Sequence, residues 1–187
     1  MNFLKVLKSI VSELDDAHIR YALIGGFAMA MRGVQRATMD LDFILLMDDL
    51  NRADTILRRY GYQLAFKNDN VSHYKSSDSD WGRIDILHAF REPTRDMLNR
   101  ADRLTVQDSL DLPVVQIEDI IGLKLQAKRN DFRREEQDSS DIRRLLQSAA
   151  ENRKKLNWDL IENYRVVLGL SKNEIFDMKA IYEKYSN

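Results

Sequence analysis

The chain has no cysteine, which excludes disulfides, thiolate nucleophiles and cysteine-ligated zinc or iron–sulfur clusters, and fits a reducing compartment. It has no apolar run near the ~18 residues of a membrane span. Its N-terminal "MNFLKVLKSIVSELDDAHI" sets Phe3, Val6, Leu7, Ile10 and Leu14 at helical spacing rather than in a continuous signal-peptide core. Charge of one sign is also lacking. The 29 basic and 30 acidic residues nearly cancel, so global charge advertises neither nucleic acid nor membrane, although a local patch remains open. These absences predict a cytoplasmic protein with no membrane partner. Two nucleotide-binding patterns are missing as well. Ala28 and Met31 stand where G-x-G-x-x-G would need a third glycine, and no G-x-x-x-x-G-K-[ST] occurs, which argues against Rossmann and P-loop sites.

What is present is a chain of 187 residues, 44% hydrophobic and 32% charged, able to bury a sizeable core in one domain or in one domain with an appended helical part. A first helix ends near Asp16. "RYALIG" reads as a buried strand closed by Gly25-Gly26, "FAMAMR" as a helix stopped at Gly33, and "MDLDFILLM" as a strand. "DDLNRADTILRRYG" is a helix closed by Gly61, and "YQLAF", "VSHYKS" and "GRIDILHAF" are further strands. From about Ile117 every segment carries three-to-four-residue apolar spacing, and Pro113 stands just before the change. The expected architecture is α+β: a mixed α/β core over 1–113, and a helical region over 114–187 packing on it.

Asp40 and Asp42 raise the chemical question. Residues i and i+2 of a strand share a face, so these carboxylates project together while Leu41 and Phe43 point the other way. Burying two like charges unpaired costs several kcal/mol, and the remedies are a cationic partner, a raised pKa or a bound metal. Mg²⁺ suits convergent carboxylates and commonly bridges to substrate phosphates. The alternative is a pair at a strand end, exposed or paired with Arg32 or Arg36. Asp85 repeats the pattern between Ile84 and Ile86. If the two strands are neighbours, three carboxylates can hold two ions about 3.5–4 Å apart for an in-line displacement at phosphorus. Gly25-Gly26 would then let the backbone approach a triphosphate; a purely structural turn is the alternative.

Gly25-Gly26, thirteen intervening residues, "DLDF" and a later apolar-flanked aspartate together resemble the polymerase-beta-type nucleotidyltransferase superfamily. Its signature is hydrophobic-Gly-Gly/Ser, a spacer of about that length, and Asp-hydrophobic-Asp/Glu-hydrophobic. With "IEDIIGLKLQAKR" and "DSSDIRRLL", residues 20–147 are similar to the minimal nucleotidyltransferases of the AbiEii-like toxin group. The resemblance implies a nucleotidyltransferase-like small mixed sheet flanked by helices. It implies transfer of an NMP from an NTP to an acceptor hydroxyl, with two Mg²⁺ ions and Mn²⁺ as a substitute. Asp40 and Asp42 would ligate both metals, Asp85 would be the third ligand and the base for the acceptor, and Gly25 and Gly26 would contact phosphate. Arg36 and Lys124 are candidate phosphate-binding cations. The implied acceptors are a tRNA 3′ end, a partner toxin or antitoxin protein, or a small antibiotic. The toxin-like motif favours RNA or protein over a drug. An antitoxin-type enzyme that modifies its partner and a non-catalytic binding module are the other readings. Gln137 departs from the pattern, since relatives carry a basic residue there.

The remaining candidates have plainer readings. Lys124 follows Ile120 and Ile117 on the apolar face of its helix, so its ammonium needs a phosphate, Asp141 or a route past the core edge. Asp138 and Asp141 read as an N-cap and an acidic first-turn residue. The three histidines are scattered: His88 lies on the face opposite Asp85, and edge or loop positions are expected. Tyr60, Tyr62, Tyr74 and Trp81 are expected to pack rather than stack a base. Residues 124–155 hold ten basic side chains against six acidic ones, which suits an RNA backbone or, more simply, helix faces laced with ion pairs.

Overall fold

A computed structural model describes residues 1–106 and 110–186. The chain forms two compact units, one from Met1–Met31 with Arg36–Val115, the other from Arg32–Gln35 with Gln116 onward. In the first unit the helices are α1 (Phe3–Asp16), α2 (Gly25–Met31), α3 (Leu50–Arg59) and α4 (Glu92–Asn99), and the strands are β1 (Tyr21–Ile24), β2 (Asp40–Leu46), β3 (Tyr62–Lys67), β4 (Val71–Ser76), β5 (Arg83–Ala89), β6 (Asp102–Val106) and β7 (Leu110–Val114). The strands make one seven-stranded sheet in the order β3-β4-β5-β2-β1-β7-β6. It is mixed: β2 runs antiparallel to β1 and parallel to β5, and β7 runs parallel to β1.

Alternation along β2 and β5 sorts the two faces. Leu41, Phe43, Ile84 and Ile86 are buried, and Tyr74, in register with Ile84, donates its hydroxyl to Asp54 of α3 at 3.0 Å. That bond sets α3 over the apolar face and leaves Asp40, Asp42 and Asp85 on the other.

Three elements carried no clear sequence signal. Pro93 occupies the first turn of α4, where its missing N–H is one of the helix's orphan donors anyway. Pro113 lies inside β7, opposite Arg103 of β6. The strand ends one residue later, so the lost donor interrupts only the end of the ladder.

In the second unit, α5 (Ile117–Asn130), α6 (Glu135–Glu151), α7 (Trp158–Leu168) and α8 (Lys172–Lys184) pack in the pairs α5 with α6, α5 with α7, α6 with α8 and α7 with α8. Ile120, Ile121, Leu125, Leu145, Leu146 and Ile161 form the buried stripe that the sequence spacing predicts. Among the described residues no helix is long and apolar enough to cross a membrane.

Candidate active site

β1 ends at Ile24, in register with Asp42, and Gly25 follows at φ +65°. A Cβ on Gly25 would lie 2.0 Å from Asp42 Oδ2, so the carboxylate rests directly against the glycine backbone. Gly26 is tight for a different reason, because a Cβ there would come within 3.0 Å of the Thr38 side chain. Thr38 Oγ1 in turn donates toward Asp40 Oδ1 at 2.9 Å and sits 3.1 Å from the Asp40 carbonyl oxygen. The glycine corner and the two aspartates of β2 are thus one packed unit.

The parallel pairing of β2 with β5 sets Asp85 beside Asp42. Opposed positions of neighbouring strands share a face, so Asp40, Asp42 and Asp85 line one side of the sheet. Across β4 the row continues to His73, opposite Asp85. His73 Nδ1 lies 2.7 Å from Asp85 Oδ1, and the Asp85 side chain is 19% exposed. The contact lies outside hydrogen-bonding geometry, so both atoms are buried without a hydrogen-bond partner. Arg83 Nη2 stands 3.9 Å from Asp85 Oδ2. Among the described residues no three His, Asp or Glu side chains close into a ready metal cage; the carboxylate of Asp85 leans toward His73. The donor set nevertheless fits a hard divalent cation, offering oxygen ligands alone, one buried oxygen without a donor, and a backbone cradle without a Cβ.

Arg36 lies in the segment leading into β2 and is half-buried. Lys124 belongs to the second unit. Its ammonium lies 2.9 Å from Asp138 Oδ1 and 2.6 Å from Asp141 Oδ2, and all three residues are buried. The side chain therefore does not snorkel, and Asp138 is no N-cap: α6 begins at Glu135, and Asp138 sits in the core, where it also meets Arg134 Nε at 3.1 Å. Lys128 with Glu174 and Arg133 with Asp131 are likewise ion-paired, as expected of laced helix faces.

His88 is neither an edge nor a loop residue. It lies buried within β5 on the face opposite Asp85, 2.8 Å from Ser72 Oγ through Nε2 and 3.0 Å from the Asp69 carbonyl through Nδ1. Burial pushes its pKa down, a shift the Asp69 carbonyl opposes. Tyr60 and Tyr62 pack against Trp81, and Tyr62 donates to the Trp81 carbonyl at 2.6 Å, so these rings serve the core. Sequence reasoning missed Thr38 and His73. Thr38 carries a weak signal, sitting two residues before Asp40 and so on its side of an extended chain. His73 carries none, because only the register of β4 on β5 brings it to Asp85.

An open cleft of about 400 Å³ lined by Glu13, Asp16, Arg52 and Arg59 contains none of these residues. Its charges are satisfied locally, Arg59 by Glu13 and Arg52 by Asp49.

No family model matches the chain, nor does any curated protein at a significant level. Solved structures do share its fold. An antigenic nucleotidyltransferase-like protein from Paracoccidioides brasiliensis is similar at a TM-score of 0.60 and 18% identity, over 97% of this chain and 92% of its own. ANT(2'')-Ia in complex with adenylyl-2''-tobramycin is similar at a TM-score of 0.57 and 12% identity, over 100% of both chains. The lincosamide antibiotic adenylyltransferase LnuA, lincomycin-bound, is similar at 0.53 and 17% identity, over 75% of this chain and 94% of its own. At these identities the shared property is the fold, a nucleotidyltransferase-like mixed sheet with flanking helices.

Proposed function

We propose that the chain is a metal-dependent nucleotidyltransferase that moves an NMP from an NTP to an acceptor hydroxyl at an RNA end, in a toxin–antitoxin-like setting. The observation that carries this reading is the position of Asp42, held between Asp85 on one side and the Gly25 backbone on the other. Carboxylates for cations and open backbone for phosphate thus adjoin at one corner.

Asp40, Asp42 and Asp85 would hold the metal ions, two Mg²⁺ with Mn²⁺ as a substitute. When bound, such ions neutralise phosphate charge and orient an in-line displacement. The remaining chemistry belongs to the chain. Gly25 and Gly26 let the backbone approach the triphosphate, as no side chain stands in the way. α2 is only seven residues long, so the local N–H groups matter here more than any helix dipole. Thr38 orients Asp40 through its hydroxyl, and Leu41, Phe43, Ile84 and Ile86 anchor both strands from behind. Asp85 accepts the proton of the acceptor hydroxyl. The oxygen so released forms a bond to the α-phosphorus, the bond from that phosphorus to the bridging oxygen breaks, and pyrophosphate leaves with the bonding pair. The proton then passes to solvent. Positioning and charge neutralisation supply most of the rate in such transfers. No covalent intermediate on the protein is needed.

The motif resemblance favours RNA or protein over a drug, and of these the RNA end is the acceptor proposed. A small alcohol is the second reading, because ANT(2'')-Ia and LnuA are named for antibiotics. The test offers α-labelled ATP, CTP, GTP and UTP with Mg²⁺ to the protein together with total RNA, a partner protein extract or hydroxylated antibiotics. Labelled RNA is the expected product, reduced by about a hundredfold or more in Asp42→Asn. Labelled antibiotic or protein would move the acceptor. No product with any acceptor, together with no Asp42-dependent NTP binding, would leave a non-catalytic module.

A further inference from the structure

The carboxylate row does not end at His73. β3 carries a bulge between Leu64 and Phe66, so that Phe66, two residues from Leu64, opposes His73 while Leu64 opposes Tyr74. Bulges re-aim side chains in this way. Without it Phe66 would share the apolar face with Tyr62 and Leu64; with it Phe66 joins the aspartate face and stacks on His73, ring centroids 5.4 Å apart and planes at 27°. Half of its surface stays exposed, a poor use of a large ring unless something covers it. The adjoining row holds a second oddity. Lys75 and Arg83 stand directly opposite each other, and like charges in that position are destabilising. Both are exposed, and Arg83 reaches the Asp85 carboxylate only at 3.9 Å. Arg83 is also in register with Asp40, so this pair borders the candidate site.

We propose that Phe66, stacked on His73, and the Lys75–Arg83 pair seat the acceptor as a single-stranded RNA 3′ end, with a terminal base on Phe66 and a backbone phosphate between the two cations. The inference rests on the transferase reading above and deepens it. The glycine corner lies on the Asp42 side of the row, so the triphosphate takes that end and the acceptor approaches from the Asp85 end. From Asp85 across β4 to Phe66 is two strand spacings, about 10 Å. An exposed ring beside paired cations suits single strands, which offer a π-face and a phosphate in every nucleotide. A polycationic sugar would meet Lys75 and Arg83 with charge of its own sign.

The test measures fluorescence anisotropy of a labelled single-stranded RNA oligonucleotide on the full chain across a salt series, with Mg²⁺–NTP binding followed separately by thermal shift. Phe66→Ala is expected to weaken RNA binding by about tenfold and Phe66→Trp to preserve it. Lys75→Ala with Arg83→Ala removes the seat for one phosphate and should lower the slope of log affinity against log salt by about 0.7–1. All three should leave the NTP shift intact, which also shows that the variants fold. Unchanged RNA affinity and salt slope in these variants, with Asp42-dependent transfer persisting, would overturn the seat while sparing the transferase. Transfer to protein or to a small alcohol that is indifferent to Phe66→Ala would overturn it too. Loss of the NTP shift and of transfer in the parent chain would instead remove the underlying reading, and the seat with it.

Discussion

At Gly25 two constraints coincide: a left-handed φ of +65° and a Cβ position 2.0 Å from Asp42 Oδ2. Gly25→Ala must therefore strain the backbone, at about 1–3 kcal/mol for a non-glycine residue in that region, and also push the Asp42 carboxylate aside. We expect a lower denaturation midpoint together with loss of NTP transfer; an alanine variant with parental transfer would show that the corner tolerates a side chain. His88 supplies a pH test away from the site. Its folded pKa is lowered by burial, so the unfolded chain, titrating near the ordinary value of about 6.5, binds the proton first. Its stabilisation is therefore complete above that pH and is lost as pH falls through the folded value. The urea midpoint should drop between pH 7 and pH 5, and His88→Gln should flatten that drop; an equal slope in both proteins would assign it elsewhere. The aspartates were legible because a charged residue amid strand-forming apolar residues breaks a pattern. His73 and Phe66 break none, and their role depends on which strands lie side by side.

Packing of α5 on α7 depends on Gly122, where an added Cβ would meet the Tyr164 ring at 2.6 Å. That ring has little room to move, because its hydroxyl donates to the buried Asp119 at 2.7 Å. In Gly122→Ala the helix gains about 1 kcal/mol of propensity, whereas overpacking costs about 1–3 kcal/mol. The expected result is a lower urea midpoint with an unchanged slope; a more stable variant would mean that α7 shifts freely. Elements with strong periodicity, from α1 to β5 and from α5 to α8, could be read from spacing and punctuation. α4, β6 and β7 could not, since Pro113 reads as a boundary although it lies near the end of a strand, and nothing in the spacing around Pro93 announces the helix that it opens. The bulge in β3 was equally hidden, because it is defined only by the partner strand.

Ligand linkage is the test at the scale of the molecule. A ligand that binds only the folded chain at about 100 times its Kd stabilises by about 2.7 kcal/mol, or roughly 5–10 °C in Tm for a chain of this size. Mg²⁺ with NTP should produce such a shift in the parent chain and not in Asp42→Asn; equal shifts in both would detach nucleotide binding from the carboxylates. The amino-acid order by itself determined the fold class, the strand that carries Asp40 and Asp42 on one face, and the glycine pair before it, because alternation and backbone freedom are local properties. Whether Asp85 stands beside Asp42, whether Lys124 meets carboxylates or solvent, and which rings border the site were decided only by strand order, register and helix packing. Those depend on contacts between residues far apart in the chain, and no local pattern encodes them.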